Sequence, residues 1–259
     1  MTFADLAPLT LIAVGALMPA LWVVSLLLRD ASIVDIFWGF GFAMIALLGF
    51  IRADGVPARR TLVTILTVAW GLRLAVHLLL RNWGAGEDYR YRAMRRRWGS
   101  RFPVVSLVTV FVLQGTLMWI VSLPVQAAQS ATAPDALTWV DGLGVVLWLV
   151  GFTFEVVGDL QLRLFKADPR NGGEVMDRGL WRYTRHPNYF GDATLWWGLG
   201  VIALSARGWW ALIGPLVMTI LLLRVSGVPL LERRMQRTRP GYEDYVRRTS
   251  PFVPLPPKR

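Results

Sequence analysis

The sequence predicts an all-helical, polytopic membrane protein. Of its 259 residues, 54% are hydrophobic and only 17% are charged, and the mean hydropathy is +0.45. Such values are typical of a chain that places its apolar residues in a bilayer, and not of a soluble domain with a large core. Because no internal repeat or linker divides the chain, we predict a single membrane domain, residues 1–259.

Seven apolar runs each approach the roughly 20 residues that a helix needs to cross a bilayer. They cover residues 6–28, 33–51, 61–80, 104–124, 138–158, 190–205 and 209–229. We therefore predict seven transmembrane helices, with a six-helix or re-entrant variant as the alternative because the sixth run is short. The first run is long and lacks the basic start of a secretory signal, so we expect it to be retained.

The basic residues predict the orientation of these helices. Of 28 lysine and arginine residues, 22 fall in three segments, residues 81–101, 159–189 and 224–259. Basic loops favour the cytoplasmic side, and the connection from Val125 to Leu137 has no basic residue. We therefore expect the N-terminus outside and the C-terminus in the cytoplasm. The loop with Arg52, Arg59 and Arg60 would then lie on the outer side, in conflict with this rule.

The composition also excludes several classes of site. There is no cysteine, and His77 and His186 are the only histidines, so disulfides, a catalytic thiol and a multi-histidine metal centre are ruled out. The net charge of +11 does not indicate nucleic acid, because cytoplasmic loops of membrane proteins collect basic residues. We expect membrane lipids as partners, for example at Arg95–Arg97, and neither a metal nor nucleic acid.

The strongest site signal is the polar segment from Arg182 to Asp192, which stands directly before an apolar run. The fixed φ of Pro187 suits the first turn of a helix. The next three backbone N–H groups, with Arg182 and Arg185, then predict a pyrophosphate site at a helix start. The alternative is that these arginines only anchor a helix at the lipid headgroups.

A second signal lies in the fifth predicted helix. Glu155, Asp159, Arg163 and Lys166 share one helical face. Two acids followed by two bases suit a nucleotide, since carboxylates accept from ribose hydroxyls and cations hold phosphate. Pairing for structure, such as Asp159 with Arg163, is the alternative.

Further polar residues lie within or beside the predicted spans, where a charge costs at least about 2.5–3.5 kcal/mol unless it is paired or hydrated, so function is the default hypothesis for them. They include Asp35, Arg73, His77, Gln114 and Arg224, and the segment 86–92 adds Glu87, Arg90 and Tyr91. The proline-rich, basic end from Arg247 to Arg259 is expected to be surface-bound or disordered.

Together these motifs resemble the steroid 5α-reductase superfamily. The resemblance is carried by Asp159 with Arg163, the segment from Arg178 to Gly191, Arg224 with Glu232, and the closing segment from Tyr242 to Tyr245. The segments from Ser32 to Gly39 and from Gly86 to Tyr91 resemble a bacterial branch of unassigned substrate, which is related in motif to the isoprenylcysteine carboxyl methyltransferases.

This resemblance implies a seven-helix fold in the bacterial inner membrane, with NADPH bound from the cytoplasm by the C-terminal half, about residues 138–259. It implies reduction of an activated C=C bond in a lipid, sterol-like or isoprenoid substrate. The acidic and tyrosine pair that polarises the enone in steroid reductases has no direct counterpart; Asp35 with Trp38, or Tyr89 with Tyr91, are the candidate replacements. The predicted catalytic residues are Asp35, Tyr89 and Tyr91; the predicted substrate contacts are Trp38, Glu87 and Arg90; and the predicted cofactor contacts are Glu155, Asp159, Arg163, Lys166, Asn171, Arg182, Arg185, His186, Asn188, Tyr189, Arg224 and Glu232.

Two other functions remain open at this point. An S-adenosylmethionine-dependent membrane methyltransferase acting on a lipid or prenyl group would share the Arg-His-Pro-x-Tyr pattern, the following glycine and a downstream glutamate. The basic residues favour the reductase, because S-adenosylmethionine brings no phosphate. A non-enzymatic lipid-binding or assembly protein would bind no nucleotide at all.

Overall fold

The computed structural model describes residues 1–225 and 227–258, and these residues form helices and no strand. The helices are α1 (Phe3–Leu28), α2 (Ile33–Arg52), α3 (Pro57–Asn82), α4 (Tyr89–Val121), α5 (Leu123–Ser130), α6 (Trp139–Ala167), α7 (Pro187–Ser205), α8 (Trp209–Val225), α9 (Val228–Thr238) and α10 (Tyr242–Arg248). Two single 3₁₀ turns, Pro169–Asn171 and Gly179–Arg182, lie between α6 and α7.

The prediction of an all-helical, polytopic membrane protein is confirmed at this level. Within the described residues, five helices, α1, α2, α3, α4 and α6, are long and apolar enough to cross a bilayer. Helix α7 is long enough but less apolar, and α8 is apolar but shorter. The seven-span count and the orientation therefore stay predictions.

The chain separates into two compact units. The first contains Met1–Asp141 and Ile202–Gly214, and the second contains Gly142–Val201 and Pro215–Arg259. The whole of the second unit lies within the C-terminal half that the sequence indicates for the cofactor.

In the first unit, α2 and α3 approach each other closely at two glycines. A Cβ atom on Gly39 would overlap the carbonyl oxygen of Gly71, so only glycine permits this backbone distance. Next to this contact the ring of Phe42 packs edge-on against Trp38 and Trp70, with centroids 5.2 and 5.4 Å away. The close approach fixes the start of α2, where Asp35 lies, against the second half of α3.

A buried ion pair accounts for Arg59, one of the basic residues that the predicted orientation places on the outer side of the membrane. The side chain of Arg59 is fully buried, and its Nε donates to Asp141 Oδ1 at 2.9 Å. Its terminal nitrogens also donate to the carbonyl oxygens of Pro134 and Ala136. Because this charge is neutralised inside the protein, Arg59 does not act as an exposed basic residue of its loop.

The connection from Val125 to Leu137 was expected to be a loop, and this expectation was wrong for its first part. Residues up to Ser130 belong to the buried helix α5. Gln126 Oε1 accepts from Thr10, and Gln129 Nε2 donates to Thr64 and to the carbonyl oxygen of Ala46. These bonds engage polar side chains of α5, although Gln129 Oε1 has no hydrogen-bond partner within the described residues.

In the second unit, α6 and α7 pack along a seam of glycines. A Cβ atom on Gly151 or on Gly191 would overlap the backbone of the facing helix. The close packing continues to Gly158, which lies against the first residues of α7. At this end of the seam Asn188 Nδ2 donates to Asp159 Oδ1 at 3.0 Å.

The C-terminal segment after α10 is ordered along the segment that precedes α7, contrary to the expectation of a surface-bound or disordered end. Arg185 N donates to Ser250 O at 2.9 Å, Thr184 Oγ1 donates to Phe252 O at 2.7 Å, and Leu255 N donates to Tyr183 O at 3.0 Å. These bonds pair backbone groups of the two segments. The charge and proline content of the C-terminal segment do not indicate such pairing.

Candidate functional site

A cavity of about 510 Å³ lies in the second unit. Three stretches of chain line it: the end of α6 with the loop that follows, the turn around Trp181 and His186, and helices α9 and α10 with the residues joining them. Ligand sites commonly measure about 300–1,000 Å³. The cavity is therefore large enough for a cofactor and is the candidate binding site of this unit.

One carboxylate, Glu232 on α9, holds two neighbouring side chains in the cavity wall. Arg185 Nε donates to Glu232 Oε1 at 2.8 Å, and His186 Nε2 lies 3.1 Å from the same oxygen. Arg185 Nη1 also donates to the carbonyl oxygens of Val246 and Thr249, at 2.9 and 3.0 Å. Since Arg185 is only 8% exposed, its guanidinium is engaged by the protein and ties α9 and α10 to the segment before α7.

The His186 imidazole is neutral at pH 7. Burial lowers its pKa and outweighs the opposing effect of Glu232. Burial alone would raise the pKa of Glu232, but the hydrogen bond with His186 and the charge of Arg185 lower it. The Nε2–H group therefore donates to a carboxylate, and this tautomer leaves Nδ1 as an acceptor.

This Nδ1 atom is buried and has no hydrogen-bond partner among residues 1–225 and 227–258. His186 is 1% exposed, lines the cavity and stacks on the ring of Tyr189, with centroids 5.4 Å apart. A buried acceptor without a donor costs about 1–3 kcal/mol. A ligand N–H or O–H group in the cavity can supply this donor.

The first unit holds a second carboxylate cluster, where α2 and α4 begin. Arg90 Nη2 donates to Asp35 Oδ2 at 2.6 Å, and Tyr91 Oη donates to Asp35 Oδ1 at 2.8 Å. Gln114 Nε2 lies 3.3 Å from the same phenol oxygen. The hydrogen bond to Asp35 and the burial of its ring hold the Tyr91 phenol in one orientation. The cluster has the arrangement of an oriented acid.

A family model described as "Protein of unknown function (DUF1295)" matches residues 21–249, which is most of the chain. The chain belongs to the DUF1295 family. This family is part of the steroid 5α-reductase-like superfamily, so the resemblance found in the motifs is confirmed.

Curated relatives of this DUF1295 protein are similar over limited lengths. The 3-oxo-5-alpha-steroid 4-dehydrogenase 1 of Bos taurus is 32% identical over 66 residues, 26% of each chain. The enzyme of the same name from Mus musculus is 32% identical over 84 residues, 32% of this chain and 31% of that one. The chain thus spans less than a third of these relatives.

A longer stretch of the chain is similar to a protein that is not named as a steroid enzyme. The nickel-cobalt-cadmium resistance protein NccN of Alcaligenes xylosoxydans xylosoxydans is 26% identical over 160 residues, 62% of this chain and 65% of that one. No solved structure matches the chain. Among the described residues of the DUF1295 protein, no group of three or more His, Asp or Glu side chains could hold a metal ion.

The predicted cofactor residues of the DUF1295 protein fall into three groups. Those that line the cavity are Lys166, Asn171, Arg185 and His186, and Glu232 bonds to two of them. Those in or beside the seam of α6 and α7 are Glu155, Asp159, Asn188 and Tyr189. Those that are exposed and do not line the cavity are Arg163, Arg182 and Arg224.

The helix start after His186 differs from the predicted pyrophosphate site. Pro187 does begin α7, as the sequence predicts. However, Tyr189 N already donates to Asn188 Oδ1 at 3.1 Å, and Phe190 N donates to His186 O at 3.0 Å. With Arg185 engaged by Glu232 and two carbonyls, most of the donors that the sequence assigns to an anion are already bonded within the protein.

Only some of the predicted catalytic and substrate residues lie together in the structure. Asp35, Arg90 and Tyr91 meet in one cluster, whereas Tyr89 is 42% exposed. Glu87 accepts from Arg95 at 2.7 Å and from the Ala31 backbone N–H at 3.0 Å, so it joins α4 to the residues before α2.

The remaining predicted substrate residue, Trp38, packs on Phe42 within α2, the same helix that carries Asp35. Asp35 and Tyr91, an acid and a tyrosine joined by a hydrogen bond, lie 56 positions apart in the chain, so this contact is neither of the two pairings that the sequence suggested.

Sequence reasoning missed several residues of the cavity. Glu174, Arg239 and Tyr242 line it but were not among the candidates. The closing Tyr-Glu-Asp-Tyr motif was a usable signal for Tyr242, whose pKa burial and the charge of Glu232 raise to about 12. Nothing in the sequence distinguishes Arg239 from the other arginines of the tail.

Proposed function

We propose that the chain is an integral membrane, NADPH-dependent reductase of an activated C=C bond in a lipid, sterol-like or isoprenoid substrate. The observation that carries this proposal is the cavity of about 510 Å³ lined by Lys166, Arg239 and the neutral His186, in a chain of the steroid 5α-reductase-like superfamily. Cationic side chains suit the phosphates of a dinucleotide. The relatives named as steroid dehydrogenases support a redox reaction.

The described residues of the cavity fit a nicotinamide nucleotide. Lys166 and Arg239 would hold phosphate, and His186 Nδ1 would accept from an amide or hydroxyl group. The turn residue Asn171, whose side chain donates to Phe165 O at 2.9 Å, shapes the loop beside the cavity. When bound, NADPH would supply the hydride for the reaction.

We propose Tyr91 as the acid that polarises the substrate carbonyl. Asp35 accepts a hydrogen bond from the Tyr91 hydroxyl and is itself held by Arg90, so the phenol ring is fixed in place. On binding of substrate, the O–H group would turn from Asp35 to the carbonyl oxygen. Burial of the ring keeps water from competing for the phenol proton. Asp35 and Arg90 act as positioning residues, and the half-buried Trp38, which packs on the buried Phe42, would give a lipophilic substrate an apolar contact.

Calorimetric titration of the detergent-purified protein with NADPH and, separately, with S-adenosylmethionine tests the proposed function. NADPH binding alone is the expected result. S-adenosylmethionine binding alone would move the chain to the methyltransferases, and binding of neither would favour a non-enzymatic lipid-binding or assembly protein.

The lysines provide a matched pair of variants for this titration. Lys166 lines the cavity, and Lys258 lies near the C-terminus outside it. Lys166→Gln is expected to weaken NADPH binding about 10-fold or more through loss of a charged hydrogen bond, and Lys258→Gln is expected to have no effect. Equal affinities in both variants would argue against phosphate binding in this cavity.

We further propose that the protein lies in the bacterial inner membrane with its N-terminus outside, its C-terminus inside and seven spans. Because the chain has no cysteine, single cysteines can report the side directly. Asp135→Cys and Arg96→Cys replace exposed residues on opposite predicted sides. In whole cells a membrane-impermeant maleimide should label the first variant only; labelling of the second instead would reverse the orientation.

A further inference from the structure

Two arginines among the described residues line the cavity, and they differ in what they contact. Arg185 bonds to Glu232 and to two backbone carbonyl oxygens. Arg239 follows α9 as its C-terminal cap, and its backbone N–H donates to Met235 O. The side chain of Arg239 is half-buried, and it forms no hydrogen bond or ion pair with the side chains and backbone that the structure describes.

The other charged residues of the cavity leave this guanidinium without a neutralising partner. Asp168 is paired with Arg170, its Oδ2 lying 2.8 Å from Nη2. Glu174 is exposed on the loop after α6. A half-buried guanidinium keeps part of its hydration, so it can remain charged without a partner until an anion arrives.

Resting on the proposed function, we propose that Arg239 binds the phosphomonoester on the adenosine ribose of NADPH and thereby makes the protein prefer NADPH to NADH. A phosphomonoester carries about −1.5 to −2 charges at pH 7 and three acceptor oxygens. The planar guanidinium matches two of these oxygens at once. The arginine that the sequence favours for phosphate, Arg185, cannot offer the same face because its Nε and Nη1 donors already bond to Glu232 and to two carbonyl oxygens.

The test measures dissociation constants for NADPH and NADH on three proteins: wild type, Arg239→Gln and Arg237→Gln. Arg237 is exposed in the last turn of the same helix and does not line the cavity, so its variant removes the same charge nearby. We expect Arg239→Gln to weaken NADPH binding about 10-fold or more, as for loss of a hydrogen bond to a charged group. NADH binding should not change, and Arg237→Gln should match the wild type.

Competition on the wild-type protein gives an independent readout that needs no variant. Adenosine 2′,5′-bisphosphate should displace NADPH at lower concentration than adenosine 5′-monophosphate. Equal potency of the two competitors would contradict recognition of the ribose phosphate.

The outcomes separate this inference from the proposed function. Suppose that the wild-type protein binds NADPH. If Arg239→Gln then binds NADPH equally well, or loses affinity for NADPH and NADH to the same degree, the proposed role of Arg239 is overturned and the proposed function is not. Wild-type protein that binds neither nucleotide would overturn both. Unfolding midpoints without nucleotide are expected to be equal in all three proteins, since Arg239 makes no side-chain hydrogen bond within the described residues.

Discussion

Each of the two carboxylate clusters joins one carboxylate to an arginine and to one further ring side chain. The clusters differ in how the arginine is held. In the first unit Asp35 binds Arg90 and the Tyr91 phenol; in the second unit Glu232 binds Arg185 and the His186 imidazole. The Arg90 side chain is 38% exposed, and it donates to the carboxylates of Asp35 and Asp88.

The Arg185 side chain is 8% exposed and is also anchored on two backbone carbonyl oxygens. We infer that Arg185, which is anchored on backbone carbonyls, stabilises the fold, whereas Arg90, which holds only carboxylates, can orient the Tyr91 phenol. Each prediction below tests one side of this comparison.

The largest expected effect is on stability. Arg185→Ala leaves Glu232 and the carbonyl oxygens of Val246 and Thr249 without their donor, so we expect a loss of about 3–5 kcal/mol in unfolding free energy. Denaturant unfolding in detergent measures it. The control is Arg182→Ala, an exposed arginine three residues earlier, which should change little. A variant that keeps its stability but loses nucleotide affinity would make Arg185 a ligand contact, as the sequence first suggests.

The next effect is on turnover. Tyr91→Phe removes the proposed acid but leaves Asp35 bound to Arg90, so the fold should persist while turnover falls about 10²- to 10⁴-fold. NADPH affinity should be unchanged, because Tyr91 does not line the cavity of the second unit. The reaction is followed as nucleotide oxidation with a lipid enone, and Tyr89→Phe serves as the exposed control. Full turnover in Tyr91→Phe would show that the Asp35 cluster is structural.

The comparison also shows what the sequence could and could not predict. Apolar runs and the fixed φ of Pro187 predicted the helices and the start of α7, because these depend on local residues. The pairing of Asp35 with Tyr91 depends on how α2 and α4 pack, and the same holds for Arg59 with Asp141. Such contacts join residues far apart in the chain, so the sequence could mark the residues as unusual but could not pair them.

The roles of individual arginines were the least predictable feature. Sequence shows that Arg185 and Arg239 carry charge but does not show which contacts neutralise it. In the structure Arg185 is bonded to Glu232 and the backbone, whereas Arg239 lies on the cavity. The ordered C-terminal segment was missed for a related reason, since its partners are backbone groups before α7.

The smallest expected effect is a pH dependence that His186 confers. Its pKa lies below the ordinary 6.5 because burial favours the neutral ring. Nδ1 should therefore stay an acceptor from pH 8 down to about 6.5, and nucleotide affinity should fall as pH drops further and this atom gains a proton. Stability should fall over the same range, since the unfolded chain takes up this proton more readily than the folded one.

NADPH alone cannot report this protonation, because its own phosphomonoester titrates near about pH 6. NADH lacks that group, so the two nucleotides titrated in parallel separate the ring from the ligand. We expect both to lose affinity below about pH 6.5 with the wild type, and only NADPH to do so with His186→Gln. If NADH affinity were independent of pH in the wild type, Nδ1 would not contact the nucleotide, and His186 would share with Arg185 a purely structural role around Glu232.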